Sequence, residues 1–294
     1  SAKYMYMNVP GGFANVYTGF TNIMNEAFGK DYIDHKYLRE ALYEYLVKDG
    51  GCLSYISDWW SADKVHSKNG AIIDLFQVVD YDRILNRESG EDISTYISRV
   101  REIMYSPQSM GEHFMQNVVL LAMLKSHRLY EVTDFRGKKV LKCGDFYNYT
   151  WNIEQQAMLA TINKIATETE HKDIVNAYYE FIESKRSDIN ELEKLDRFAT
   201  NINDEFLRTF GNKYEEYANT YIGIKKDMLK NAKKKFEANQ SLYDQYEFVD
   251  GKLKIKANSV LVDKDGKLLP YYGADIFGKF RNKVISVNEK IHGV

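Results

Sequence analysis

The residues best placed to do chemistry are Asp80-Tyr81-Asp82, at the end of the run Ile72-Ile73-Asp74-Leu75-Phe76-Gln77-Val78-Val79. If that run is a buried strand, two carboxylates two residues apart share a face and can hold Mg²⁺ or Mn²⁺ against a phosphate. That is the chemistry of metal-dependent transferases and nucleases. The run fits a helix equally well, with Ile72, Phe76, Val79 and Arg83 on one side, and the acids are then a solvated helix end. Asp80 and Asp82 are therefore the candidate metal ligands, and the spacing alone assigns no metal.

The second constellation is the charge run from Lys225 to Lys235. On a helix turning about 100° per residue, Lys226, Lys230, Lys233 and Lys234 fall opposite the stripe Tyr221, Met228, Ala232. That is a solvated face, or a surface for sequence-blind contact with a nucleic-acid backbone. No aromatic residues are interleaved with these lysines, so a stacking platform for single strands is not indicated.

Other motifs fail on spacing. Asp263-Lys264-Asp265-Gly266 begins like a calcium loop, but its glycine comes fourth and Ala274 stands where the loop needs Glu. A hairpin turn accounts for it. His35, His66, His113, His127, His171 and His292 make no His-Glu-x-x-His and no zinc spacing with cysteine. Gly11-Gly12 and Gly50-Gly51 lack the phosphate-cradle frames, and no serine sits in G-x-S-x-G. No catalytic residue, metal or cofactor is assigned, and the balance is against an enzyme.

The chain has 294 residues, 44% hydrophobic and 28% charged, with 15 Phe, 23 Tyr and 3 Trp. That is enough apolar surface for a packed core, which excludes intrinsic disorder. Its longest apolar run, Val118 to Leu124, is far short of the roughly 20 residues a spanning helix needs. Lys and Arg (40) nearly balance Asp and Glu (42), so no overall field selects nucleic acid or an anionic membrane. Cys52 and Cys143 read as reduced thiols in a reducing compartment. The start at Ser1-Ala2, without an initiator Met, and the close at Ile291-His292-Gly293-Val294 suggest an internal fragment of a longer chain.

These residues need a scaffold, and three prolines in the whole chain lean toward helix. The fold expected is mainly α, a multi-helix bundle with a small antiparallel β-hairpin or meander near the C-terminus. Residues 1–130 form a helical subdomain. In it Pro10-Gly11-Gly12 makes a turn before a helix over Phe13–Phe28, and further helices cover Tyr37–Val47 and Ile93–Met104. Phe114–Leu124 is apolar on nearly all sides, the mark of a central helix.

Residues 131–239 are a hairpin over Glu131–Tyr149 turning at Arg136-Gly137, followed by long helices from about Trp151, with Gly211 as a stop. Residues 240–273 form a β-meander. In it Asp250-Gly251 sits between two alternating runs, and a second hairpin turns at Asp265-Gly266. Residues 274–294 are an amphipathic helix (Ile276, Phe277, Phe280, Val284, Val287, Ile291) that needs a partner and leads to a missing continuation.

Lys (29) outnumbers Arg (11), as in proteins of AT-rich genomes. Within that style, the stretch from Tyr271-Tyr272-Gly273-Ala274-Asp275-Ile276-Phe277 to Lys290-Ile291-His292-Gly293 resembles very large virion proteins of crAss-like bacteriophages. The helix Met115-Gln116-Asn117-Val118-Val119-Leu120-Leu121-Ala122-Met123-Leu124 fits the same likeness, which covers about a tenth of the chain. The resemblance implies a giant multidomain chain packaged in the particle, some relatives being ejected into the host with the DNA. Its partners would be the rest of the parent polypeptide and other virion proteins, and its location the virion or, after ejection, the host cytoplasm. One neighbour in that group is a virion RNA polymerase with a D-x-D-G-D loop. Here Asp263-Lys264-Asp265-Gly266 continues with Lys267, so a fragment from such a neighbourhood is not the polymerase core. The function expected is a non-catalytic structural or interaction role. The alternatives are a metal-dependent transferase or nuclease at Asp80/Asp82, and nucleic-acid backbone binding through the lysine helix.

Overall fold

The computed structural model describes residues 9–30, 32–48, 67–76, 78, 114–133, 138–169, 177–178, 180, 203–209, 213–259, 261–262, 265 and 273–292. Among these the chain is mainly α, with two small antiparallel two-stranded sheets, one of them near the C-terminus. It divides into two compact units, residues 1–126 with 241–294, and residues 127–240. The sequence segments 240–273 and 274–294, read above as successive units, close back onto the first 126 residues.

In the first unit, α1 (Val9–Gly29) is followed by α2 (His35–Leu46), α3 (Lys68–Phe76) and α4 (114–126). Pro10-Gly11-Gly12 is not a turn before α1 but its first turn. Proline is tolerated there because the first N–H groups of a helix have no partner to lose. α1 stops at Lys30, whose φ of 61° is left-handed, with its N–H on the Glu26 carbonyl at 2.9 Å. The Asp34 carboxylate accepts from the Lys36 N–H at 3.0 Å and caps α2.

The apolar run 72–76 is helix, not strand: α3 buries Ile72, Ile73 and Phe76. α4 is the central helix its composition predicts, with Met115 and every residue from Val118 to Leu124 at 2% exposure or less. Each such Val, Leu or Met side chain contributes roughly 1.5–3 kcal/mol of burial.

After a 3₁₀ turn at Tyr243–Gln245, β3 (Tyr246–Val249) pairs antiparallel with β4 (Lys252–Ile255). Asp250 and Gly251 have φ of 56° and 73°, the two positive values a tight two-residue hairpin demands. The second expected hairpin, at Asp265-Gly266, falls largely outside the described residues.

The closing helix α8 (Gly273–His292) has a partner. It buries Phe280, Val284, Val287 and Ile291, packs along α1, and sets Phe280 edge-on to Phe76 at 5.5 Å. Asn22 Nδ2 donates to the Ile291 carbonyl at 3.1 Å, and Arg281 Nε to the Phe76 carbonyl at 2.7 Å. These contacts supply the partner that the apolar face of the helix requires.

The second unit opens with β1 (Arg128–Thr133) paired with β2 (Lys139–Gly144), as a hairpin whose turn lies outside the described residues. The strand reading extended too far. Phe146 to Tyr149 are helix, because Asp145 accepts from the Asn148 N–H at 2.9 Å and starts α5 (Phe146–Thr169). Gly144 is placed where a Cβ would meet that of Asn148 at 2.6 Å, so strand and helix approach through it. α5 packs on α6 (Tyr214–Leu229), with Ile162, Tyr178, Phe206 and Tyr217 in the shared core. The helix read as continuous through the lysine run breaks at Lys230-Asn231, and α7 (Ala232–Ala238) follows. Asn231, at φ −117° and ψ 14°, leaves the helical region there.

Candidate functional site

A polar cluster among the described residues of the first unit leaves no mark in the sequence. Glu44, on the inner face of α2, is 8% exposed. Its Oε1 accepts from Lys48 Nζ at 2.8 Å, one helical turn on, and from Lys125 Nζ of α4 at 3.4 Å. Its Oε2 lies 3.5 Å from the Tyr243 hydroxyl, which donates to Asn69 Oδ1 at 2.9 Å. Asn69 Nδ2 returns a bond to the Glu44 carbonyl at 3.2 Å. α2, α3, α4 and the 3₁₀ turn are thus stitched together through one carboxylate and one phenol.

Two ammonium groups flank the phenol. Lys68 Nζ lies 3.9 Å and Lys125 Nζ 4.2 Å from the Tyr243 ring centroid, inside the range of cation–π attraction. Lys68 Nζ also donates to the Tyr243 carbonyl at 3.1 Å. Asp244 is engaged by Ser241, whose N–H and hydroxyl reach its Oδ2 at 3.2 and 2.7 Å.

The charges answer to this geometry. Burial alone would raise the Glu44 carboxyl, but the bonds and charges of Lys48 and Lys125 hold it below its ordinary value. Asp244 is likewise held low, its desolvation outweighed by the Ser241 bonds and by Lys125 and Lys68. Lys68 moves the other way, down to about 8, first through burial and then through the charge of Lys256. Asp244 and Glu44 pull against that shift while Lys125 adds to it.

Chemically, Glu44 is held ionised by two ammonium groups and poorly suited to move protons, whereas the Lys68 amine sits in a field with excess positive charge. Among the described residues no group of three His, Cys, Asp or Glu is arranged to hold a metal ion.

The sequence-derived candidates fare differently. Asp80 and Asp82 lie outside the described residues, as do Cys52, His66, His113 and His171. Lys226, Lys230, Lys233 and Lys234 are all exposed, on α6, the break and α7, while Tyr221 and Ala232 are buried. Lys225 departs from the run: its Nζ pairs with Glu154 Oε1 of α5 at 2.5 Å, which raises its pKa against the pull of burial. His35 is exposed, near Asp34 at 3.1 Å and stacked on Phe28, and His127 is 4% exposed. Cys143, half-buried in β2, forms no disulfide. In the described residues no helix is long and apolar enough to cross a membrane.

A second polar network joins β1, β2 and α5. Lys142 Nζ donates to Asn152 Oδ1 at 2.8 Å, and Asn152 Nδ2 to the Tyr130 hydroxyl at 3.0 Å. Burial pushes the Tyr130 phenol up, so it stays protonated as a structural hydrogen-bonding group. Comparison with known proteins found no matching family model, no matching curated protein and no matching solved structure.

Proposed function

We propose that this chain is a non-catalytic packing and interaction component of a large virion-associated protein of the crAss-like phage type. In this reading it sits in the virion or, after ejection, in the host cytoplasm. The observation that carries the non-catalytic part is the Glu44 carboxylate. The buried acid of the polar cluster is engaged by Lys48 and Lys125, and holds helices together rather than facing a substrate. The phage assignment rests on the likeness of the 271–293 stretch. Its helix, α8, is built into the first unit by Phe280, Val284, Val287 and Ile291, which suits a packing role.

The test is a panel of nucleotides, oligonucleotides and glycans, with melting curves in millimolar Mn²⁺. No turnover and no Mn²⁺-dependent shift are expected. Turnover abolished by Asp80→Ala, or a Mn²⁺ stabilisation lost in that variant, would overturn the reading in favour of the metal-dependent transferase or nuclease.

A second reading, sequence-blind binding to a nucleic-acid backbone, is favoured by the exposure of Lys226, Lys230, Lys233 and Lys234 together. It predicts affinity that collapses between low and moderate salt and disappears when all four become Glu. Binding retained in that variant would remove it.

A further inference from the structure

The chain passes from one unit to the other at Ser126-His127 and returns at Gln240-Ser241. The residues just inside these two points are bonded to each other. The Leu129 N–H, at the start of β1, donates to the Gln240 carbonyl at 3.1 Å. Arg128 Nη1 donates to the Glu237 carbonyl at 3.1 Å and also to the Asn239 carbonyl. The Arg128 guanidinium lies 5.9 Å from the centroid of the Phe236 ring, within cation–π range. Carbonyls at a helix C-terminus lack intrahelical partners, and here the first two residues of β1 serve those at the end of α7.

Between those bonded ends the second unit has a core of its own. Ala157, Met158, Ile162 and Ile165 of α5 are 2% exposed or less and pack in one cluster with Leu207, Tyr217 and Tyr221. Its buried polar groups are also served from within: Asn203 by Tyr178 and Tyr221, Asn152 by Tyr130 and Lys142. The first unit is built from two pieces of chain that meet side by side. Residues 241–294 join residues 1–126 through α8 on α1, through Tyr246 edge-on to Phe76 at 6.3 Å, and through the Tyr243 hydroxyl on Asn69. A folded stretch whose ends are bonded together is, for the chain around it, no longer than a tight loop.

We propose that residues 127–240 are an autonomously folding module inserted into the first unit, and that the bonds of Arg128 and Leu129 to the end of α7 are the latch that closes its neck. The latch makes both ends of the insertion part of its own structure, so each unit opens and closes by itself. The inference depends on the neck and the two cores alone and is independent of the proposed virion role.

The experiment is hydrogen exchange read by mass spectrometry on the full chain, native and with one core side chain shortened in each unit. Ile162→Ala should speed exchange by about tenfold or more in peptides from 127–240, and leave those from α1, α4 and α8 within about twofold. Leu121→Ala, buried in α4, should do the reverse. If either variant does not fold, Ile162→Val and Leu121→Val carry the same comparison at reduced size. Arg128→Met tests the latch: exchange should rise by about tenfold in 127–133 and 232–240, with the first unit unchanged. If that variant does not fold, Arg128→Lys, which keeps the charge and loses the planar fork, takes its place. Equal loss of protection in both units from one core substitution would overturn the inserted module. Unchanged protection at 127–133 and 232–240 in the Arg128 variant would overturn the latch, and a rise that spreads into the first unit would overturn both.

Discussion

Glu44 and Lys125 are 81 residues apart in the chain and meet at 3.4 Å, with side chains only 11% and 12% exposed. The pair ties α2 to the central helix α4. Removing one partner strands the other as a charge in a poorly solvated place, which costs more than the bond itself contributes.

Glu44→Gln keeps the shape and removes the charge. It should destabilise the first unit by about 1–3 kcal/mol near neutral pH, a range set low because Lys48 is half-exposed and water screens it. The folded Glu44 carboxyl lies below its ordinary value of 4.5. Its stabilisation is therefore complete above about pH 4.5 and disappears as pH falls through the lower folded value. Denaturant titrations at pH 7 and at successively acidic pH should show the native and variant curves converging. A constant gap would contradict the assignment.

Lys68 gives the opposite dependence. Its folded pKa of about 8 lies below the ordinary 10.5. Between these values the unfolded chain binds more protons, so this group's contribution improves as pH rises. Below pH 8 the full penalty of holding the charge applies. In chloride buffer, Lys68→Met should be at least as stable as the native chain at pH 7, and its advantage should shrink by pH 9.5. Melting temperatures at the two pH values read the difference directly.

Local chemistry was legible in the sequence, and long-range assembly was not. Asp250-Gly251 reads as a hairpin because the turn's requirement for positive φ is carried by the two residues themselves. The all-round apolar character of 118–124 likewise announces a central helix. The start of α5 is masked in the sequence because Asp145, its cap, directly follows the strand residues of the hairpin. The break at Lys230-Asn231 left no mark, since neither residue forbids a helix and no Gly or Pro stands there. The face of α8 was legible, but its partner α1 lies at the other end of the chain. The Glu44 cluster had no local signature at all. Tyr243 is 199 residues from Glu44, and each member reads alone as an ordinary surface or core residue.

Two left-handed positions should respond to substitution with opposite signs. Gly251 is at φ 73°, and an added Cβ would meet nothing within 4 Å. Gly251→Ala therefore carries only the backbone penalty, about 1 kcal/mol. Lys30, at φ 61°, already bears that penalty at the end of α1. Lys30→Gly should gain up to about 1 kcal/mol. Urea midpoints of the two variants should move apart, with the slopes unchanged. A loss on Lys30→Gly would mean that the lysine side chain contributes more than the strain it imposes.

Asn203 is the hinge of the second unit's buried polar chain. At 4% exposure, its Oδ1 accepts from the Tyr178 hydroxyl at 3.1 Å, and its Nδ2 donates to the Tyr221 hydroxyl at 3.3 Å. Burial pushes the Tyr221 phenol up although Lys225 pulls it down, so this hydroxyl too stays protonated. Asn203→Leu preserves volume and leaves both phenols short of a partner, at a cost of about 1–3 kcal/mol. Tyr178→Phe alone strands one acceptor and should cost about 1 kcal/mol. If the three side chains act as one network, the double variant should fall short of the sum by about 0.5–1.5 kcal/mol. Strict additivity in urea unfolding would show that Asn203 acts only by filling space.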